Sequence, residues 1–136
     1  MNQDEIIQAA MAARERAYAP YSNYQVGAAV LAASGRIYTG CNVENASYGL
    51  SICAERVAIS GAVAAGERSF LALAIAGGQS LPSMPCGACR QFIAEWADES
   101  LPIFIVSDQG QRVDVTLGDL LPHPFGPQSV RENDRP

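Results

Sequence analysis

"SFLALAIAGG" (residues 69–78) is an unbroken apolar run closed by two glycines. It is far too short to cross a bilayer. It also lacks the alternation of a strand with one wet face, so it predicts a strand buried on both sides, at the centre of a sheet. Both of its neighbours have a helical period. Upstream, apolar residues recur helically from Ser51 to about Ala65, with Ser51 as N-cap and Gly66 as C-cap. Downstream, past the loop "QSLPSMP", a second helix is expected from about Cys86 to Asp98. A buried strand between two helices requires helices packed over the sheet.

Further out, "QVGAAVLAA" and "IYTGCNV" read as strands joined by the turn "SGR", an antiparallel hairpin. Residues 3–18 carry Ile6, Ile7, Ala10, Met11, Ala13 and Ala17 at helical spacing, and "APYSNY" breaks that helix. Toward the C-terminus, "PIFIVSD" and "RVDVT" predict two more strands around the turn "QGQ". "LGDLLPHPF" predicts a short helical turn. The expected fold is a three-layer α/β/α sandwich with a five-stranded mixed sheet. Helix crossovers make the middle strands parallel and the hairpins add antiparallel edges. Residues 1–126 are expected to form one domain and residues 127–136 a solvated tail.

A chain of 136 residues supports one such core. The opening "MNQDEIIQ" is acidic, unlike a secretory signal, and the expectation is a cytoplasmic protein away from the membrane. The net charge is −5 and all nine basic residues are arginine. Schiff-base chemistry and a phosphate loop built on lysine are therefore excluded. The arginines are scattered, so no basic track for a nucleic acid polymer is expected.

The chemistry lies in two helix starts. "SICAERVAI" (51–59) holds Cys53 and Glu55; "MPCGACRQF" (84–92) holds Cys86 and Cys89. Helix N-termini favour anions and lower thiol pKa values. Three thiolates from two such ends can converge on zinc and leave one coordination position for water, the arrangement of a catalytic site. Glu55 stands where a carboxylate can move protons for that water. Three thiolates and Zn²⁺ sum to −1, so positive groups are needed nearby; Arg56 and Arg90 each follow a motif, and Arg56 is expected to donate to cysteine sulfur. Each motif alone carries less. "CGAC" by itself also fits a redox pair, and Cys53 by itself fits a buried core thiol. Cys41, inside a strand, is read as a core thiol.

"APYSNYQVGAAV", "GCNVENASYGLSICAERVAI", "PCGACRQF" and "LLPHPF" together resemble, in order and spacing, the zinc-dependent cytidine deaminases of the small homotetrameric type. The resemblance covers roughly residues 4–126. It implies one zinc per chain on Cys53, Cys86 and Cys89, with Glu55 as proton shuttle. It implies that Asn42 and Glu44 bind the ribose hydroxyls, and that the carbonyl of Ala54 accepts from the leaving amine. Tyr24 stands where the family usually has a phenylalanine stacked on the pyrimidine, so the ring is kept and a hydroxyl added. Ala46 and Tyr48 would reach a neighbouring site, and Phe125 would close one, in a homotetramer with shared active sites. The implied reaction is hydrolytic deamination of cytidine and 2′-deoxycytidine, a step of pyrimidine salvage. A second reading is a related deaminase for another cytosine compound, such as blasticidin S. A third, from a different class, is a zinc-stabilised or thiol-redox domain, in which Glu55 has no role.

Overall fold

The computed structural model describes residues 1–133. Elements follow in the order α1 (Gln3–Arg14), β1 (Gly27–Ala32), β2 (Ile37–Cys41), a 3₁₀ turn (Tyr48–Leu50), α2 (Ala54–Ala64), β3 (Phe70–Ala76), α3 (Gly87–Ala94), β4 (Pro102–Val106), β5 (Arg112–Thr116), α4 (Leu117–Leu120) and α5 (Pro127–Asn133). The strands form one five-stranded sheet in the order β2-β1-β3-β4-β5. As its composition requires, β3 is the middle strand, and Ala72 to Ala76 are all buried.

β3 and β4 pair in parallel, while β1–β2 and β4–β5 are antiparallel hairpins. β1 also pairs antiparallel with β3. The α2 crossover therefore joins two strands of the same direction, β2 and β3, with β1 between them. Alternation along the strands sorts the core into two layers. Ala29, Ala72, Ala74 and Ala76 face α1, where Ile6, Ile7 and Ala10 pack. Ala28, Val30, Leu73, Ile75, Ile103 and Ile105 face the other way, against Ala58 and Ile59 of α2 and Ile93 of α3.

The α2 side is unusually close. A Cβ placed on Gly40 of β2 would stand 2.5 Å from the Ala58 nitrogen and 2.7 Å from the Ala54 carbonyl oxygen. Glycine lets the helix rest on the strand backbone, and this contact sets the depth of the helix start that bears Cys53.

Several element ends differ from expectation. α2 is capped by Cys53, not Ser51, because the Ser51 hydroxyl accepts from the Asn45 N–H and ties down the preceding loop. Gly66 follows the last helical turn with φ 104°, a left-handed stop. α1 ends at Arg14 and α3 at Ala94, both short of the expected spans. Residues 127–133 of the expected tail form α5, opened by a proline at its first position; the remaining three lie outside the described residues. Among the described residues no helix is long and apolar enough to cross a membrane.

Candidate metal centre and active site

A short backbone bridge delivers Cys53 to its place. After β2, Val43 exchanges backbone hydrogen bonds with Ile52, both 2.9 Å. The chain is thereby folded back so that Cys53 begins α2 beside the sheet. Its carbonyl accepts the first helical bond from Val57 at 3.1 Å, and the Cys86 carbonyl does the same for Arg90 at 3.0 Å. Both thiols thus occupy N-cap positions, and neither caps its helix through the side chain. Cys89 lies one turn into α3 and is fully buried.

The three sulfurs lie within 4.8 Å of one another, the one such group among the described residues. Cys53 and Cys86 are 4.0 Å apart. A tetrahedral ion with bonds of roughly 2.3 Å sets sulfur atoms about 3.8 Å apart. The thiols therefore need to close by at most about 1 Å, and a soft thiolate set suits zinc. Without an ion, the hydrogen bond from the Cys89 thiol, aided by Arg56, holds the Cys53 thiol down to about 5. That same bond, together with burial, pushes Cys89 up.

Arg56 supplies the positive charge the thiolates require. Its Nη2 lies 3.6 Å from Cys53 Sγ, and its Nε is buried with no partner. Arg90 does not share this role. Its guanidinium donates to the carbonyls of Pro85 and Leu120, at 2.8 and 2.9 Å, and so braces the loop before Cys86.

Glu55, 4 % exposed, is one of two buried polar or charged residues of the described core. Burial holds its carboxyl above the ordinary carboxylate range. It lines a cavity of about 230 Å³ together with Cys53, Cys86, Ala54, Tyr24, Val26, Asn42 and Met84. A buried carboxyl with raised proton affinity, in one cavity with Cys53 and Cys86 of a three-thiol group able to hold a metal, has the make-up for proton transfer in a hydrolysis. Residues 1–105 match the family described as the cytidine and deoxycytidylate deaminase zinc-binding region.

The chain belongs to the cytidine deaminase family. A cytidine deaminase of Sporosarcina psychrophila is 45 % identical over 130 residues, which cover 96 % of each chain. The 1.6 Å crystal structure of cytidine deaminase from Burkholderia pseudomallei aligns with a TM-score of 0.88 at 50 % identity, covering 92 % of this chain and 100 % of that one. That of cytidine deaminase from Mycobacterium tuberculosis aligns with a TM-score of 0.80 at 41 % identity, covering 93 % and 98 %.

The remaining candidate residues of this cytidine deaminase-family chain divide among separate places. Tyr24, Asn42 and Ala54 share the cavity of the thiols. The Asn42 amide already works on the chain itself: Oδ1 accepts from the Val26 N–H at 2.8 Å and Nδ2 donates to the Tyr24 carbonyl at 2.7 Å. Glu44 and Tyr48 line a second pocket with Tyr21, Ser22 and Ser51. There the Glu44 carboxylate accepts from the Tyr21 and Ser22 N–H groups and from the Ser22 hydroxyl, which holds it below the usual carboxylate range. Ala46 is exposed and lines neither pocket. Phe125 is 59 % exposed near α5, and its carbonyl accepts from Gln91 Nε2 at 2.6 Å. Cys41 is half-buried, its thiol 3.5 Å from the Arg16 carbonyl, apart from the trio. Sequence reasoning overlooked Ser22 and Met84; "PYSNY" and "SMPC" give their neighbourhood without their direction.

Proposed function

We propose that the protein catalyses zinc-dependent hydrolytic deamination of cytidine and 2′-deoxycytidine, giving uridine, 2′-deoxyuridine and ammonia, as a step of pyrimidine salvage. The observation that carries this reading is buried Glu55 in one cavity with Cys53, Cys86, Tyr24 and Asn42. When bound by Cys53, Cys86 and Cys89, one zinc per chain supplies a water acidic enough to be a nucleophile near neutral pH. Glu55 takes the proton from that water and carries it to ring nitrogen N3. After attack at C4, Glu55 takes the proton of the new C4 hydroxyl and delivers it to the 4-amino nitrogen; the C4–N bond breaks as the C4 carbonyl forms and ammonia leaves. The raised carboxyl of Glu55 fits a group that must both accept and donate. The Ala54 carbonyl accepts from the departing amine, and the Tyr24 ring stacks on the base. Asn42 keeps one N–H and one lone pair for the sugar; Glu44, fixed by the 21–22 turn, offers its remaining acceptor capacity.

The same reading makes the enzyme a cytoplasmic homotetramer with shared sites, each subunit a single domain over residues 1–126. Tyr18, Tyr21, Val43, Tyr48, Leu50 and Ile52 are exposed, Tyr21 and Tyr48 of them lining the second pocket, and exposed apolar surface of this kind marks contacts between chains. Ala46 and Tyr48 would then reach a neighbouring site and Phe125 would close one. The acidic net charge disfavours nucleic acid polymers.

The test is ultraviolet monitoring of cytidine with purified zinc-loaded protein, alongside Glu55→Gln. Rapid loss of the cytosine chromophore, abolished in Glu55→Gln at equal zinc content, is expected. A fully active Glu55→Gln enzyme sinks the mechanism. An inactive wild type with zinc bound moves the substrate to another aminopyrimidine compound.

A further inference from the structure

The wall of the cavity that bears Tyr24 and Val26 is an extended segment whose carbonyls and N–H groups point alternately to two sides. Asn42 holds one side through the Tyr24 carbonyl and the Val26 N–H. The other side presents the Gln25 carbonyl, and Arg14 Nε, in the last turn of α1, donates to it at 2.7 Å. Through Nη1 the same guanidinium pairs with Asp108, in the turn between β4 and β5. That turn is stitched to the loop leading to Cys86: the Asp108 N–H donates to the Gly78 carbonyl at 3.0 Å and the Gln109 N–H to the Gln79 carbonyl at 3.3 Å. Gly77 stands against Val26, so that a Cβ there would lie 3.3 Å from both Val26 methyls.

Arg14 therefore joins two walls of one cavity that are remote in sequence. Its own placement is tight. A Cβ on Gly27, the first residue of β1, would collide with the Ala10 carbonyl and the Arg14 backbone, so only glycine lets α1 bring Arg14 this close. The fork of the guanidinium serves both partners with separate N–H groups, which a lysine cannot reproduce.

We propose that Arg14 is a positioning residue for the pyrimidine, setting the Tyr24–Val26 wall against the loop before Cys86 through Gln25 and Asp108. The inference rests on the deaminase reading for its ligand. Arg14 touches neither the metal site nor the substrate and acts through the backbone it holds.

The experiment uses zinc-loaded full-length Arg14→Gln, Asp108→Ala and the double variant. KM and kcat for cytidine are measured along with zinc content, Tm and amide hydrogen exchange. Loss of the charge-assisted bonds to the Gln25 carbonyl and to Asp108 predicts a KM raised by at least about tenfold in Arg14→Gln, with kcat and zinc content near wild type. Exchange should rise together at residues 23–27 and 107–110. The double variant should be no worse than Arg14→Gln, because the two residues act as one unit. A lowered Tm with wild-type KM and wild-type exchange at 23–27 would overturn the proposal and leave Arg14 a purely structural residue. Additive losses in the double variant would also overturn it. Should Arg14→Gln fail to fold, Asp108→Ala, at a more exposed turn, carries the same two readouts. If wild-type protein turns over no cytidine, the cytidine reading fails, while hydrogen exchange still decides the clamp.

Discussion

Gly40→Ala tests whether the metal site depends on how deeply α2 lies on the sheet. The added methyl would sit 2.5 Å from the Ala58 nitrogen, where ordinary contact begins at 3.4 Å, so α2 must retreat by about 0.9 Å. Both colliding groups are backbone, and no side-chain rotation relieves the clash. Overpacking of this kind costs about 1–3 kcal/mol. The entropy gain of Gly→Ala in the unfolded chain returns at most about 1 kcal/mol, so the clash wins. In a domain of this size, Tm should fall by about 3–5 °C for each kcal/mol. The functional consequence is larger. Metal–ligand distances tolerate roughly 0.2 Å, and a displaced α2 start carries Cys53 and Glu55 away from α3. The zinc Kd should rise on the order of 10–100-fold, read by competition with a chromogenic chelator. Gly61→Ala, in the same helix with nothing within 4 Å of a new Cβ, is the control and should gain about 0.5–1 kcal/mol. A Gly40→Ala protein with wild-type Tm and zinc affinity would refute the reasoning.

Glu55→Gln should retain zinc, by atomic absorption, and lose about 10²–10⁴ in kcat. Metal-free protein should alkylate at Cys53 with a midpoint near pH 5; the thiolate is lost as pH falls through that value, and Arg56→Ala should move the midpoint upward in a pH-dependent iodoacetamide assay. Removing the chain from Phe125 onward should cut turnover far more than zinc content. Equal loss of both would count against its closing a neighbouring site.

The parts of this protein readable from its sequence are those where one physical demand dominates. A continuously apolar "FLALAIA" has no place but mid-sheet, and the turn signals around residues 34–36 and 109–111 fix the two hairpins. Cys53, Cys86 and Cys89 were legible because thiols at two helix starts have few other uses together. What escaped is set by competition between partners distant in sequence. Ser51 looks like a helix cap, yet its hydroxyl is claimed by Asn45. Arg90 has the spacing of a thiolate partner, yet two backbone carbonyls satisfy it. The bonding of Asn42 depends on the Tyr24–Val26 segment that leads into β1 passing alongside, and insertion of β1 between β2 and β3 leaves no mark on local pattern.

The vacant caps of α2 and α3 have a further consequence. α1 closes its start with the Asn2 side chain and α4 with a reciprocal Thr116–Asp119 pair, while α2 and α3 have cysteines there whose side chains accept nothing from their own helices. An ordinary cap contributes about 1 kcal/mol; these two ends forgo it, and their cysteines stand instead where an ion could join them. Anything that binds only the folded chain also raises its folded population. A cell short of zinc should therefore hold fewer surviving copies of this protein, as unfolded chains are cleared, besides more idle ones. Metal supply would then govern how much of the protein persists.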